Sequence, residues 1–156
     1  MCKVEYYLYL RLYRKVNGMK NKELKLKEIP KWGHYLRQQW SQSFASHLSK
    51  EEQKAIDLDL FLWHLCSREK VLYLEKEKAI KAFENHFKNK CTIFYQFTDE
   101  AYLVENAKTL TVKDLPYQGD HMKYSDIYIM DWDKKWTFMI THETELGFGP
   151  YFIQKS

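Results

Sequence analysis

The sequence predicts an α+β fold, with N-terminal helices packed on a mainly antiparallel sheet that ends in a C-terminal hairpin. Three observations carry this. Trp32, Leu36, Trp40, Phe44 and Leu48 recur at every fourth position, the spacing of one helical face. Residues 126–130 and 136–142 are two strand-forming runs around the polar stretch 131–135, the pattern of a hairpin. Helical patterns come early and strand patterns late, without the βαβ alternation that a parallel sheet requires.

Taken in order, residues 1–18 read as an N-terminal extension that ends at the turn signal Asn17-Gly18. A single α+β domain then occupies 19–156. Leu24, Leu26 and Ile29 suggest a short strand closed by Pro30. The first helix spans 31–48, with Pro30 just ahead of it, where a missing N–H costs little. Ser49-Lys50-Glu51-Glu52 is a capping box. The helix it opens is expected to run on through the apolar stretch 58–65 and to be largely buried. A third helix is expected over 76–87, with Ala79, Ile80, Phe83 and Phe87 on one side. Residues 91–97 (CTIFYQF) have strand composition, and 102–104 extend or pair with them. Residues 110–119 read as a helical turn and loop. On the return strand of the hairpin, Trp136, Phe138, Ile140 and His142 share one face, while Thr137, Met139 and Thr141 share the other. Gly147-Phe148-Gly149-Pro150 makes a tight corner before a short final strand. The expected core contains Trp40, Phe44, Phe61, Leu62, Leu65, Phe83, Ile93, Tyr95, Ile129, Phe138 and Ile140.

Composition narrows the function classes. The chain has 156 residues, 45% of them hydrophobic and 17% aromatic, which suits one globular domain with rings through its core. The net charge of +4 is unevenly placed. Residues 1–30 carry an excess of +5, and the remainder is −1. A nucleic-acid binder shows its basic face on the folded body, so nucleic acid is not the expected partner. No segment approaches the roughly 18 uninterrupted apolar residues of a membrane span. Cys2, Cys66 and Cys91 are odd in number and widely spaced, so free thiols in a reducing cytoplasm are expected rather than a disulfide framework.

The search for chemistry yields one segment. His34 and His47 are too far apart on one helix to share a metal. His64 and Cys66 point to different helical faces, and His86 and His121 stand alone. His142-Glu143-Thr144-Glu145 lacks the second histidine of HExxH. No GxSxG elbow, phosphate loop or dinucleotide fingerprint occurs, so no cofactor, no metal and no catalytic residue is assigned. The end of the return strand, with the glycine-proline corner beyond it, can still gather an imidazole, a carboxylate and a phenol. Trp136, Thr141, His142, Glu143 and Tyr151 are therefore the candidate binding residues. The alternative reading of His142 is a structural clasp, bonded in place and holding the C-terminal segment against the hairpin.

Four ordered stretches carry a family resemblance: Glu28-Ile29-Pro30-Lys31-Trp32-Gly33, Phe61-Leu62-Trp63-His64-Leu65, Phe94-Tyr95-Gln96-Phe97-Thr98-Asp99-Glu100-Ala101, and Thr141-His142-Glu143 with Gly149-Pro150-Tyr151-Phe152. They resemble a bacterial family known as domain of unknown function 4275, over about residues 19–154. The resemblance implies a bacterial setting and transfers no site.

Two functions follow as expectations. The first is a non-catalytic binding or interaction protein, immunity-type or regulatory, whose partner is another protein. The alternative is a small hydrolase-like enzyme using His142 and Glu143 with Asp99 or Tyr151.

Overall fold

The computed structural model describes residues 24–116 and 126–156. The expectations placed on residues 1–18, on Gly119 and on His121 lie outside them. Among the described residues, seven strands form one sheet: β1 (Leu26–Glu28), β2 (Leu74–Glu75), β3 (Cys91–Tyr95), β4 (Ala101–Val104), β5 (Ile127–Asp131), β6 (Trp136–Ile140) and β7 (Tyr151–Gln154). All pairs are antiparallel, in the order β1-β4-β3-β5-β6-β7-β2. Four α-helices accompany them: α1 (Gly33–Phe44), α2 (Lys50–Ala55), α3 (His64–Ser67) and α4 (Lys76–Asn85). The fold is α+β, with most helices preceding most strands.

Strand alternation divides the core into two layers. Phe94, Tyr128, Met130, Met139, Tyr151 and Ile153 face one side, under α1, α3 and the chain between α2 and α3. Cys91, Ile93, Tyr95, Ile127, Ile129, Trp136, Phe138 and Phe152 face the other, under α4 and the segment containing Ala107, Leu110 and Leu115. Rings meet in both layers. Phe83 of α4 stacks on Phe138 at 4.3 Å between centroids, and Phe94 stacks on Tyr128 at 5.5 Å.

Polar side chains tie the helices to the sheet. Trp40 Nε1 donates to Thr137 Oγ1 at 2.9 Å, and Thr137 Oγ1 donates in turn to the Ile129 carbonyl at 2.8 Å. Buried Gln96 accepts from the Leu62 amide at 2.9 Å and from the Tyr128 hydroxyl at 2.5 Å. Burial pushes the Tyr128 phenol well above its ordinary pKa, which keeps that donor protonated. The start of α1 touches the loop after β3. A Cβ on Gly33 would come within 2.6 Å of the Thr98 carbonyl oxygen and the Asp99 Cα, so only glycine fits.

The capping box at Ser49 and Glu52 forms as read, but its helix does not continue through 58–65. It ends at Ala55, and Asp57 adopts φ 54°, a left-handed conformation that stops helical propagation. Leu58, Leu62, Trp63 and Leu65 reach the core from turns and from α3, while Leu60 is left exposed. The helix expected over 76–87 is α4, which stops at Asn85 with His86 extended. Phe87 is consequently 73% exposed rather than on the buried face. Trp32, read as part of the α1 stripe, is the helix N-cap and is 42% exposed. Phe61 and Ile140 pack against the core only partly buried.

Lys88 closes α4. Its ammonium donates to the Phe83 carbonyl at 2.7 Å and to those of Glu84 and His86 at 3.3 Å, satisfying carbonyls the helix end leaves open. Burial holds its pKa below the ordinary lysine value.

Two outcomes follow. Phe138→Ala, which removes half of the stacked pair, should cost about 3–5 kcal/mol, read as a lowered urea midpoint. For Lys88, a depressed folded-state pKa means that the charged form costs stability below that pKa. The cost is released as pH rises toward the unfolded value of about 10.4. Urea titrations at neutral and alkaline pH should therefore show wild type gaining on Lys88→Met as pH increases.

Candidate functional site

The β5–β6 register opposes Ile127 and Ile140. This sets Asp126, just before β5, across from the residues just after β6. Asp126 is fully buried. Its Oδ1 accepts from the His142 backbone N–H at 2.7 Å and lies 2.9 Å from His142 Nδ1. A carboxylate accepts only, so Nδ1 carries the proton and Nε2 is the open nitrogen. Nε2 stands 3.6 Å from Glu143 Oε1.

The chain bends here instead of extending. Thr141 Oγ1 accepts from the Glu143 amide at 3.1 Å and donates to the Phe148 carbonyl at 2.5 Å, and Thr144 Oγ1 donates to the Thr141 carbonyl at 2.8 Å. A 3₁₀ turn over Thr144–Leu146 follows and closes on Gly147 at φ 93°. Because β6 ends at Ile140, alternation does not carry His142 onto the face of Phe138. Its ring lies with the opposite layer, 5.6 Å from Phe61 and 6.0 Å from Trp63.

Phe61 is the hub of that surface, 5.0 Å from His64 and 5.6 Å from Phe97. Trp63 in turn meets Phe148 at 5.9 Å. Phe97 and Phe148 are exposed. Two buried polar atoms here, Trp63 Nε1 and Asp126 Oδ2, have no hydrogen-bond partner.

The structure brings together Thr141, His142 and Glu143 and adds Asp126, which the sequence reading did not name. Trp136 is buried in the other layer, beside Phe83 and Phe152. Tyr151 is buried against Tyr73, and burial raises its phenol pKa. Asp99 is engaged by Arg37 at 3.1 Å. Arg37 also donates to the Tyr95 and Thr98 carbonyls. Cys66 and Cys91 are free and buried. Burial pushes the Cys91 thiol up to about 12 and the Cys66 thiol higher still, so neither supplies a thiolate near neutrality. No group of three metal-ligating side chains converges among the described residues, and no described helix is long and apolar enough to cross a membrane.

A second feature lies at the other end of β5. A groove of about 270 Å³ opens between α1 and the β5–β6 turn, walled by Trp32, Tyr35, Gln39, Trp132 and Lys134 and floored by Thr92 and Met130. Trp32, Tyr35 and Trp132 are 42%, 50% and 42% exposed. Trp32 and Tyr35 meet edge to face at 5.5 Å. The Lys90 ammonium lies 3.8 Å over the Trp132 ring, a cation–π contact that steadies the indole.

Residues 13–152 match the model of a family described as Domain of unknown function (DUF4275). The match begins inside the segment that composition sets apart as an extension. No curated protein and no solved structure matches the chain.

The Asp126 bonds give His142 a measurable structural weight. Losing a buried hydrogen-bond partner costs about 1–3 kcal/mol. His142→Ala should lower the unfolding free energy by that amount, and Asp126→Ala by more, because it orphans both the imidazole and the His142 amide. Chemical denaturation of the two variants beside wild type checks the order.

Proposed function

The chain belongs to the DUF4275 family, and on that premise we propose that it is a non-catalytic binding protein that engages another protein, in an immunity-type or regulatory role in the bacterial cytoplasm. The observation that carries this reading is the groove walled by Trp32, Tyr35 and Trp132. Large rings held half in water on rigid elements supply contact area with few rotamers to freeze, and they are the side chains that anchor protein interfaces. Trp32 and Tyr35 sit on the first turn of α1, which Arg37 and the close Gly33 contact pin to the β3–β4 loop.

A second reading has its own support. His142 is oriented by a buried carboxylate with Nε2 left open, the arrangement of a general base, and this favours a small hydrolase-like enzyme. Asp99 and Tyr151, named with it from the sequence, have other partners. Glu143 is the carboxylate beside Nε2.

Affinity capture from lysate of the source organism separates these readings. The tagged wild type should retain a specific protein, and a Trp32→Ala/Trp132→Ala variant should lose it while His142→Ala keeps it. Retention that ignores the groove but fails in His142→Ala would overturn the assignment.

A further inference from the structure

The geometry points to a second docking surface, at the Asp126 end of β5, that takes a basic amphipathic segment of another protein, rich in arginine and leucine. It lies apart from the groove and does not depend on the groove reading. Three turns meet at this end, following α2, β3 and β6. Phe61, on the first, lies 5.6 Å from Phe97 on the second and 5.6 Å from His142 on the third. Phe61 also meets Trp63 at 5.7 Å, and Trp63 meets Phe148 at 5.9 Å. A chain of ring contacts thus joins Phe97 to Phe148, both exposed. Leu60, next to Phe61, and Leu146, in the turn before Phe148, are exposed as well. Apolar residues scattered singly over a surface are ordinary, whereas a joined patch with a charged margin marks a contact site.

Charge selects the occupant. Residues 57–61, 96–100 and 141–149 hold Asp57, Asp59, Asp99, Glu100, Glu143 and Glu145 and no lysine or arginine. Arg37 meets Asp99 from α1. Asp57, Asp59, Glu100 and Glu143 pair with no lysine or arginine among the described residues. Asp126, buried beside His142, adds a carboxylate whose one ion-pair partner among the described residues is that imidazole. The whole chain carries +4, so this negative end is a local departure from the overall charge. Nucleic acid, an acidic peptide or an anionic membrane is repelled from it. A cationic side chain gains twice, because the carboxylates meet its charge and the exposed ring faces attract it. His142 Nε2 and Glu143 Oε1, both acceptors and 3.6 Å apart, can share one guanidinium. A metal ion fits less well, because no third ligand joins them among the described residues and a zinc site takes three or four from the protein. Leucines between the cations then cover Phe97, Phe148 and Leu146. The other end of β5 has the opposite character, with Lys90 and Lys134 beside its groove.

The test titrates the full chain, by heat at low ionic strength, with a short capped peptide of arginine and leucine in amphipathic order. Comparators are the same peptide with glutamate for arginine and with serine for leucine. The arginine-leucine peptide should bind saturably, the glutamate form should not bind, and the serine form should bind more weakly. Asp59→Lys/Glu145→Lys should weaken binding about tenfold or more, because like charge then faces like charge. Phe97→Ala and Leu146→Ser should each weaken it several-fold, and Trp132→Ala, in the groove, should leave it unchanged. All these side chains are exposed, so unfolding midpoints should stay at the wild-type value. Absence of saturable binding, binding indifferent to the charge reversal, or a serine form that binds as tightly would each overturn the inference. Loss of binding in Trp132→Ala with Phe97→Ala unaffected would move the site to the groove and overturn it equally. So would a concentration-dependent dimer in sedimentation that Phe97→Ala dissolves, since the occupant is then a second copy of the chain. Capture through Trp32 and Trp132 tests the groove alone, so either assignment can fail without the other.

Discussion

The central strands carry large apolar side chains on both faces, so neither side of the sheet can be left to water, and the rest of the architecture answers that constraint. Antiparallel sheets commonly expose one polar face. Here Ile93, Ile129 and Phe138 point one way and Phe94, Tyr128 and Met139 the other, all buried. The described residues offer four helices, two of them short, for two faces. The chain covers one side with α1 and a mostly irregular run through Trp63, and the other with α4 and loop residues. Irregular cover brings main-chain polar groups into the interior, where each needs a partner. Gln96 and Tyr128 supply two of them, at the Leu62 and Trp63 amides. The aromatic richness follows from the same shortage, since rings fill thick layers with few residues.

That cover also explains where the two surface features lie. Both stand at ends of β5, where strands stop and the layer above thins. At its first end Asp126 is buried but sits past the ladder, free to take the His142 amide and imidazole. At its last end the chain turns through Trp132, and α1 overhangs with its first turn. Trp32 and Tyr35 wall the groove and stay half-exposed, while Leu36, Trp40 and Phe44, farther along the same helix, are buried. A stripe that is apolar from end to end thus becomes core in the middle and surface at the rim.

Much of this was legible in the sequence, and the failures share a cause. Periodicity located α1, the Ser49 cap, β3, the hairpin and the buried faces of β6, because side-chain period is local. What it missed depended on where elements stop. The run 58–65 reads as a helix on apolar density, but Asp57 in a left-handed conformation breaks it into turns whose burial is set by the sheet beneath. Phe87 fits the α4 face by spacing, but the helix has ended and Lys88 has closed it. His142 was assigned to a face by an alternation that ceases two residues earlier. Asp126 was within reach of sequence reasoning. Once a hairpin is registered so that Ile127 opposes Ile140, the residue before one strand must neighbour those after the other. The groove was not legible, because Trp32, Gln39 and Trp132 come together only through the way α1 crosses the sheet.

The two ends of β5 differ in what they leave unsatisfied, and that difference bears on function. At the Asp126 end the open groups are inward: a carboxylate oxygen and an indole N–H, both buried and unpartnered, the indole flanked by Phe61 and Phe148. At the Trp132 end the large rings of Trp32, Tyr35 and Trp132 are themselves half in water. Buried unpaired atoms cost stability whether or not anything binds. Polar groups on exposed rings stay hydrogen-bonded to water and carry no such cost. The first arrangement suits a tightly held local structure around His142, and the second leaves its rings in exchange with water. Between those two ends the Trp40–Thr137–Ile129 hydrogen-bond chain ties α1 to β6 and β5.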